Sequence, residues 1–90
     1  MLNPNRSTQF KRDFKLAKRR GKKLEKLIKI MELLVYEESL DPKYRDHKLT
    51  GNYVGCRECH IEPDWLLIYS TDKTDIYFIR TGTHADLFNM

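Results

Sequence analysis

Ninety residues carry 17 Lys and Arg against 13 Asp and Glu, a formal net charge of +4, with 40% hydrophobic and 33% charged side chains. That length supports one core and hence one domain over residues 1–90, and the mixture excludes a disordered tail. No apolar run nears the roughly 20 residues that span a bilayer, and the opening MLNPNRSTQFKRDF has no apolar stretch of the kind an export signal uses, so the expectation is a cytoplasmic protein without a membrane partner.

Ser7 reads as the N-cap of a first helix, in which Phe10, Phe14 and Ala17 recur at helical spacing and which Gly21 ends. A second helix begins near Lys22, with Leu24, Leu27, Ile28, Met31, Leu34 and Val35 as its apolar stripe. Joined at Gly21, the two form a helical hairpin. Leu40-Asp41-Pro42 breaks the pattern, and residues 41–52 read as a connecting segment. Three strands follow, over residues 54–61, 65–69 and 75–81, joined by tight turns at Glu62-Pro63-Asp64 and Thr71-Asp72-Lys73-Thr74. The middle one is apolar on both parities, which predicts the central strand, covered on one face by the helices. The fold class is α+β: a helical hairpin packed on a curved antiparallel meander.

Charge is segregated along this order. Residues 1–36 hold eleven basic and three acidic side chains, +8, whereas residues 37–90 hold six and ten, −4. Basic helices can serve solubility alone. The tight run Lys18-Arg19-Arg20-Gly21-Lys22-Lys23, however, is what neutralising a polyanion requires, and it points to a nucleic-acid partner.

Cys56-Arg57-Glu58-Cys59-His60 matches the CxxCH string of covalent haem attachment. A strand sends residues i and i+3 to opposite faces, so the two thiols diverge; haem attachment also belongs to exported proteins. A zinc site from Cys56, His60 and another histidine would lack a second CxxC or HxxxH half. Cys59 is expected as a small buried hydrophobe, and neither a metal nor a cofactor is expected.

The three histidines carry the chemistry. His47, His60 and His84 each stand beside a turn. His60 precedes Asp64 across the Glu62-Pro63 turn, so a hairpin makes those two neighbours. Three imidazoles and an aspartate, with Arg80, gathered beside a basic surface would suit RNA cleavage by the 2′-hydroxyl. One group takes the 2′ proton, another protonates the leaving 5′ oxygen, and cations hold the phosphorane. Imidazole serves either role near neutral pH.

Those residues also carry a resemblance. Asp46-His47-Lys48-Leu49-Thr50-Gly51, the segment Arg57-Glu58-Cys59-His60-Ile61-Glu62-Pro63-Asp64-Trp65-Leu66-Leu67-Ile68-Tyr69, and Arg80-Thr81-Gly82-Thr83-His84-Ala85-Asp86-Leu87-Phe88 resemble, in order and spacing, the YafQ branch of the RelE/ParE toxin superfamily. The Phe-x-x-Asp-Phe-Lys start of the first helix agrees as well. The resemblance implies the RelE-like fold, with an N-terminal strand drawn here from about residues 1–6, where Pro4 requires an edge position. It also implies a toxin of a type II toxin–antitoxin pair that cuts A-site codons of mRNA on the ribosome by metal-independent acid–base chemistry. Its partner would be an antitoxin with a ribbon-helix-helix DNA-binding half.

By the same resemblance His47, His60, Asp64 and His84 are the catalytic positions and Phe88 a base-stacking one. Arg80, on charge grounds, and Lys48 join Phe88 as substrate-binding residues. His84 is expected as the acid, with His60 and Asp64 on the base side, Asp64 orienting or charging an imidazole, and His47 binding phosphate or sharing the proton transfer. Lys11, Lys15, Lys18, Arg19, Lys22 and Lys23 are expected to hold ribosomal RNA. Two rival readings are a ParE-like toxin that binds DNA gyrase without cutting RNA, which needs no histidine cluster, and a plain RNA-binding module.

Overall fold

A computed structural model describes residues 1–88. The chain runs β1 (Asn3–Arg6), α1 (Thr8–Arg19), α2 (Leu24–Val35), a 3-10 turn (Pro42–Tyr44), β2 (His47–Lys48), a second 3-10 turn (Gly51–Tyr53), β3 (Arg57–Glu62), β4 (Trp65–Thr71), β5 (Asp75–Gly82) and α3 (His84–Phe88). No helix is long and apolar enough to cross a membrane among the described residues.

Ser7 caps α1 as expected: its Oγ accepts the Phe10 N–H at 2.9 Å and donates to the Ile79 carbonyl at 2.8 Å, tying the helix start to the sheet. Gly21 ends the first turn of the hairpin in the left-handed region, φ +76. With it, the Lys22 N–H reaches the Ala17 carbonyl and the Gly21 N–H the Lys18 carbonyl, the paired bonds of a Schellman stop. α2 starts at Leu24, two residues later than the periodicity suggests. Its buried line is Leu27, Ile30, Met31 and Leu34, while Ile28 is 39% exposed; the stripe that meets the sheet is therefore turned from the one read in the sequence.

The five strands order as β1-β5-β4-β3-β2. β2 to β5 form the antiparallel meander, but β1 lies parallel to β5, so the sheet is mixed rather than wholly antiparallel. β1 returns alongside β5 because the helical hairpin, not a tight turn, separates it from the meander. Pro4 sits on this edge strand, opposite Ile76, where a missing ladder donor is tolerated.

β4 is the central strand, and alternation splits its side chains between two cores. Trp65, Leu67 and Tyr69 face α1 and α2 with Phe10, Leu27 and Phe78. Leu66 and Ile68 face the other way, under Leu87 of α3 and the flanking Leu49, Tyr53 and Cys56. That second cover explains why β4 is apolar on both parities, and it comes from pieces with no periodicity to read.

The remaining departures are local. β3 begins at Arg57 rather than at 54, because Gly55 turns the chain at φ +88 and leaves Val54 76% exposed. Within the presumed connecting segment, His47 and Lys48 pair with Glu58 and Arg57 as a fifth strand too short to show alternation.

Candidate active site

The site lies on the sheet face away from α1 and α2, built from β2, β3 and the start of α3. In β3 the inward residues toward the helices are Cys59 and Ile61, so Glu58 and His60 project to the opposite side. β2 pairs His47 directly with Glu58, which brings the first two imidazoles within 6.2 Å, centroid to centroid. The His84 ring stands 5.7 Å from that of His60 on the other flank. His47, His60 and His84 thus form a row with His60 at its centre.

Two carboxylates orient this row. His84 donates through both its backbone N–H (2.8 Å) and its ring Nδ1–H (2.6 Å) to Oδ1 of Asp64, which leaves Nε2 as its free nitrogen. These two bonds, the backbone one foremost, hold the Asp64 carboxyl below its ordinary range. His60 donates Nε2–H to Oε1 of Glu58 at 3.1 Å, which leaves Nδ1 free. The same Oε1 stands 3.6 Å from Nε2 of His47, whose Nδ1–H donates to the Arg45 carbonyl. Asp64 therefore serves His84, not His60 as the hairpin spacing suggested. Its place beside His60 is taken by Glu58, which no motif singles out, although Glu58 and His60, two apart on a strand, share a face. Glu58 is only 5% exposed.

Each histidine is aimed by a scaffold. Arg45 adopts the left-handed region at φ 50, and the bend it makes is fixed from behind: Asp46 accepts the Tyr69 hydroxyl at 2.6 Å and the Arg57 Nε–H at 3.2 Å. Burial, with Asp46 alongside, pushes the Tyr69 hydroxyl pKa well up. His84 opens α3, whose start is a reciprocal cap: the Thr83 N–H donates to Asp86 and the Asp86 N–H to Thr83 Oγ1. Arg20 grips the same Asp86 at 2.6 and 3.2 Å, which with the Thr83 N–H pulls its pKa down to about 2. A Cβ on Gly82 would fall 2.9 Å from the Asp86 carboxylate, so the strand can meet the helix this closely only with glycine there.

Other residues expected at the site fall elsewhere. Lys48 alternates away from His47 and pairs with Arg57, so it belongs to the opposite face. Arg80 is bound bidentately by Asp13 of α1 at 2.7 and 3.2 Å; Asp13, 7% exposed, also accepts the Thr81 N–H. Its guanidinium is thus neutralised rather than free for phosphate. Phe88 is half-buried against Tyr53, ring centroids 5.7 Å apart and edge-on. Lys11, Lys15, Lys18, Arg19 and Lys23 are exposed on and just past α1. Lys22 instead turns toward the site, its ammonium over the Trp65 ring at 5.7 Å and 3.6 Å from Glu62.

Cys59 is fully buried in the helix-side core, and burial pushes its thiol up to about 12, the condition of an inert packing residue. Cys56 packs at the margin of the other core, so the two thiols do diverge. Among the described residues, no three His, Cys, Asp or Glu side chains are gathered as a metal's ligand set.

The arrangement is matched by known proteins. Residues 2–89 match the family model described as bacterial toxin of type II toxin–antitoxin system, YafQ. The chain is 46% identical over 83 residues to the mRNA interferase toxin YafQ of Escherichia coli K12, covering 91% of this chain and 90% of that one. It superposes on the crystal structure of the E. coli DinJ–YafQ complex with a TM-score of 0.91 at 43% identity, covering 98% of this chain and 99% of that one. A metal-bound toxin from Helicobacter pylori is similar at a TM-score of 0.91 and 39% identity, covering 98% of this chain and 100% of that one.

Proposed function

The chain belongs to the YafQ family of type II toxin–antitoxin toxins and is an endoribonuclease of the mRNA interferase kind, and on that premise we propose that it cuts mRNA in the ribosomal A site by proton transfer between its own side chains. The observation that carries the mechanism is the pair of carboxylate–imidazole couples, Glu58–His60 and Asp64–His84, whose rings lie 5.7 Å apart. Each couple fixes one ring nitrogen as a donor to its carboxylate and turns the other free.

His60 Nδ1 takes the proton from the ribose 2′-hydroxyl, with Glu58 stabilising the imidazolium that forms. His84, protonated and held by Asp64, returns a proton from Nε2 to the departing 5′ oxygen. The 2′ oxygen attacks phosphorus, the P–O5′ bond breaks, and the products end in a 2′,3′-cyclic phosphate and a 5′-hydroxyl. His47, the most exposed of the three, stabilises charge on the phosphorane. Phe88 would stack on a nucleobase only after leaving its edge contact with Tyr53.

The exposed cations of α1 and the following turn, Lys11, Lys15, Lys18, Arg19 and Lys23, suit a ribosomal RNA surface, since they stand clear of the site and mostly unpaired among the described residues. Crystals of the E. coli relative hold it with DinJ; the partner here is a cognate antitoxin, with a ribbon-helix-helix DNA-binding half and a second half that covers the toxin in the cytoplasm.

The experiment is cleavage of mRNA on programmed ribosomes by wild type, His60→Ala and His84→Ala, with the product ends mapped. Each variant should lose about 10²–10⁴-fold in rate. Undiminished cutting by both would end the mechanism, and intact mRNA with stalled gyrase would favour the ParE-like reading. Because the H. pylori relative is metal-bound in its crystal, toxin stripped with chelator before assay is the control; it should cut at the untreated rate.

A further inference from the structure

Beside the row of imidazoles the surface falls into an open groove of about 1010 Å³ between α2, residues 42–45 and the β3–β4 turn. His60 and Asp64 form the end of it that meets the catalytic groups. Its long wall is the turn before α2, which gives Lys22, and one face of α2, which gives Glu25, Lys26 and Lys29, while Lys43 and Arg45 rise opposite. Lys22 and Lys26 are engaged by Glu62 at 3.6 and 3.0 Å. Among the described residues Lys29, Lys43 and Arg45 make no ion pair. The Lys43 ammonium rests 5.1 Å above the Tyr44 ring, which holds it at the rim.

We infer that this groove carries the RNA strand on one flank of the scissile phosphate, with Lys29, Lys43 and Arg45 at successive backbone phosphates; the inference rests on the endoribonuclease reading above. A phosphate held among His47, His60 and His84 must continue into a flanking strand, and here a channel lined by cations opens from His60 itself. Five cations, Lys22, Lys26, Lys29, Lys43 and Arg45, outnumber the three carboxylates Glu25, Glu62 and Asp64 on the same lining. Glu62 and Asp64 are already engaged by Lys22, Lys26 and His84, so the balance still attracts a repeating anion. A protein segment of ordinary interface chemistry would instead need apolar anchor pockets. The apolar side chains here are few, Ile61 and Pro63 at the hairpin end and the Tyr44 ring on the opposite wall, where the Lys43 ammonium covers it.

The probe is a fluorescent single-stranded RNA with 2′-O-methyl groups throughout, which can bind but cannot be cut. Its affinity is measured over a salt series for wild type and for a Lys29→Ala/Lys43→Ala double variant, whose exposed positions should leave the melting curve unchanged. Loss of two phosphate contacts on a single strand should make the slope of log K against log salt shallower by about 1.4. On programmed ribosomes the same variant should raise KM several-fold while keeping the saturating rate. An unchanged salt slope overturns the inference. So does a variant that binds RNA like wild type but loses affinity for the antitoxin, since the groove is then a protein interface. Wild type that binds the probe yet never cuts mRNA would instead strike at the endoribonuclease reading, and the salt slope alone would still decide the groove.

Discussion

Asp64 takes hold of His84 twice, through the backbone N–H and through the ring, with one and the same carboxylate oxygen. The turn between β3 and β4 therefore sets both where α3 begins and which nitrogen of its first residue is free. Replacing Asp64 by Asn keeps an acceptor for the backbone but removes the charge that stabilises an imidazolium. Because its pKa is held below the ordinary 3.8, Asp64 is ionised at every pH above that, and the expected deficit does not vanish as pH rises. Single-turnover cleavage on ribosomes should fall by at least about 10-fold for Asp64→Asn, with only a small drop in melting temperature because the side chain is exposed and the backbone bond to His84 keeps an acceptor.

Glu58 is the residue whose substitution best tests the base couple. Glu58→Gln keeps the shape of a nearly buried side chain and a hydrogen-bond acceptor for His60, but it cannot balance a positive ring. Cleavage should drop by roughly 10²-fold or more, mostly in the saturating rate, while binding of the uncleavable RNA stays as in wild type. A Glu58→Gln enzyme with wild-type turnover would remove Glu58 from the mechanism.

Much of this site was readable beforehand, and the limits have physical causes. Hydrophobic pattern discloses both long helices and the three long strands, because the helices, β3 and β5 bury one face along most of their length and β4 buries both. β2 escaped because two residues carry no period, and α3 because its five residues form a lid rather than an amphipathic helix. The histidines stood out as chemically unusual; Glu58 did not, since a carboxylate on a strand usually faces water. Which imidazole Asp64 serves is hidden for a different reason. Hairpin spacing places it near His60, but the direction of a turn side chain depends on where α3 returns, and that contact is twenty residues away. Arg80 reads as a phosphate ligand from its charge alone, because Asp13, which holds it, lies sixty-seven residues earlier in the chain.

That Arg80–Asp13 pair yields a prediction opposite to the one its charge invites. Arg80→Ala leaves the Asp13 carboxylate buried with only the Thr81 N–H and Gln9 beside it, which should cost about 2–3 kcal/mol and lower the melting temperature by more than about 10 °C. Loss of cleavage should track loss of folded protein. Below the unfolding temperature the residual rate per folded molecule should stay within a few-fold of wild type. A stable Arg80→Ala protein that fails to bind RNA would restore the phosphate role.

Asp86 links stability to acid. Arg20 foremost, with the Thr83 N–H, depresses its folded pKa to about 2 from an ordinary 3.8. A depressed carboxylate contributes stability above its unfolded value and loses it as pH falls through the folded one, so the loss belongs between about pH 4 and pH 2. Urea unfolding across that window should show a slope that Asp86→Asn flattens. Gly82→Ala, which drives a Cβ against the same carboxylate, should weaken the α3 anchor at neutral pH and reduce cleavage through displacement of His84.

The basic surface of α1 separates from all of this, and that separation is itself testable. Lys11, Lys15 and Lys18 follow at i, i+4 and i+7, so they share one exposed face, whereas the neighbouring Arg20 is bound to Asp86. A Lys11→Ala/Lys15→Ala/Lys18→Ala variant should melt like wild type, because exposed lysines without partners contribute little to folding. Its affinity for ribosomes should fall, with a salt slope shallower by about 2–3 for three lost phosphate contacts, while the cleavage rate at saturating toxin is preserved. Arg20→Ala should behave in the reverse manner, lowering stability and the saturating rate through α3 and leaving the salt slope nearly unchanged. If both variants changed the same quantities, the helix would not be a docking surface distinct from the catalytic scaffold.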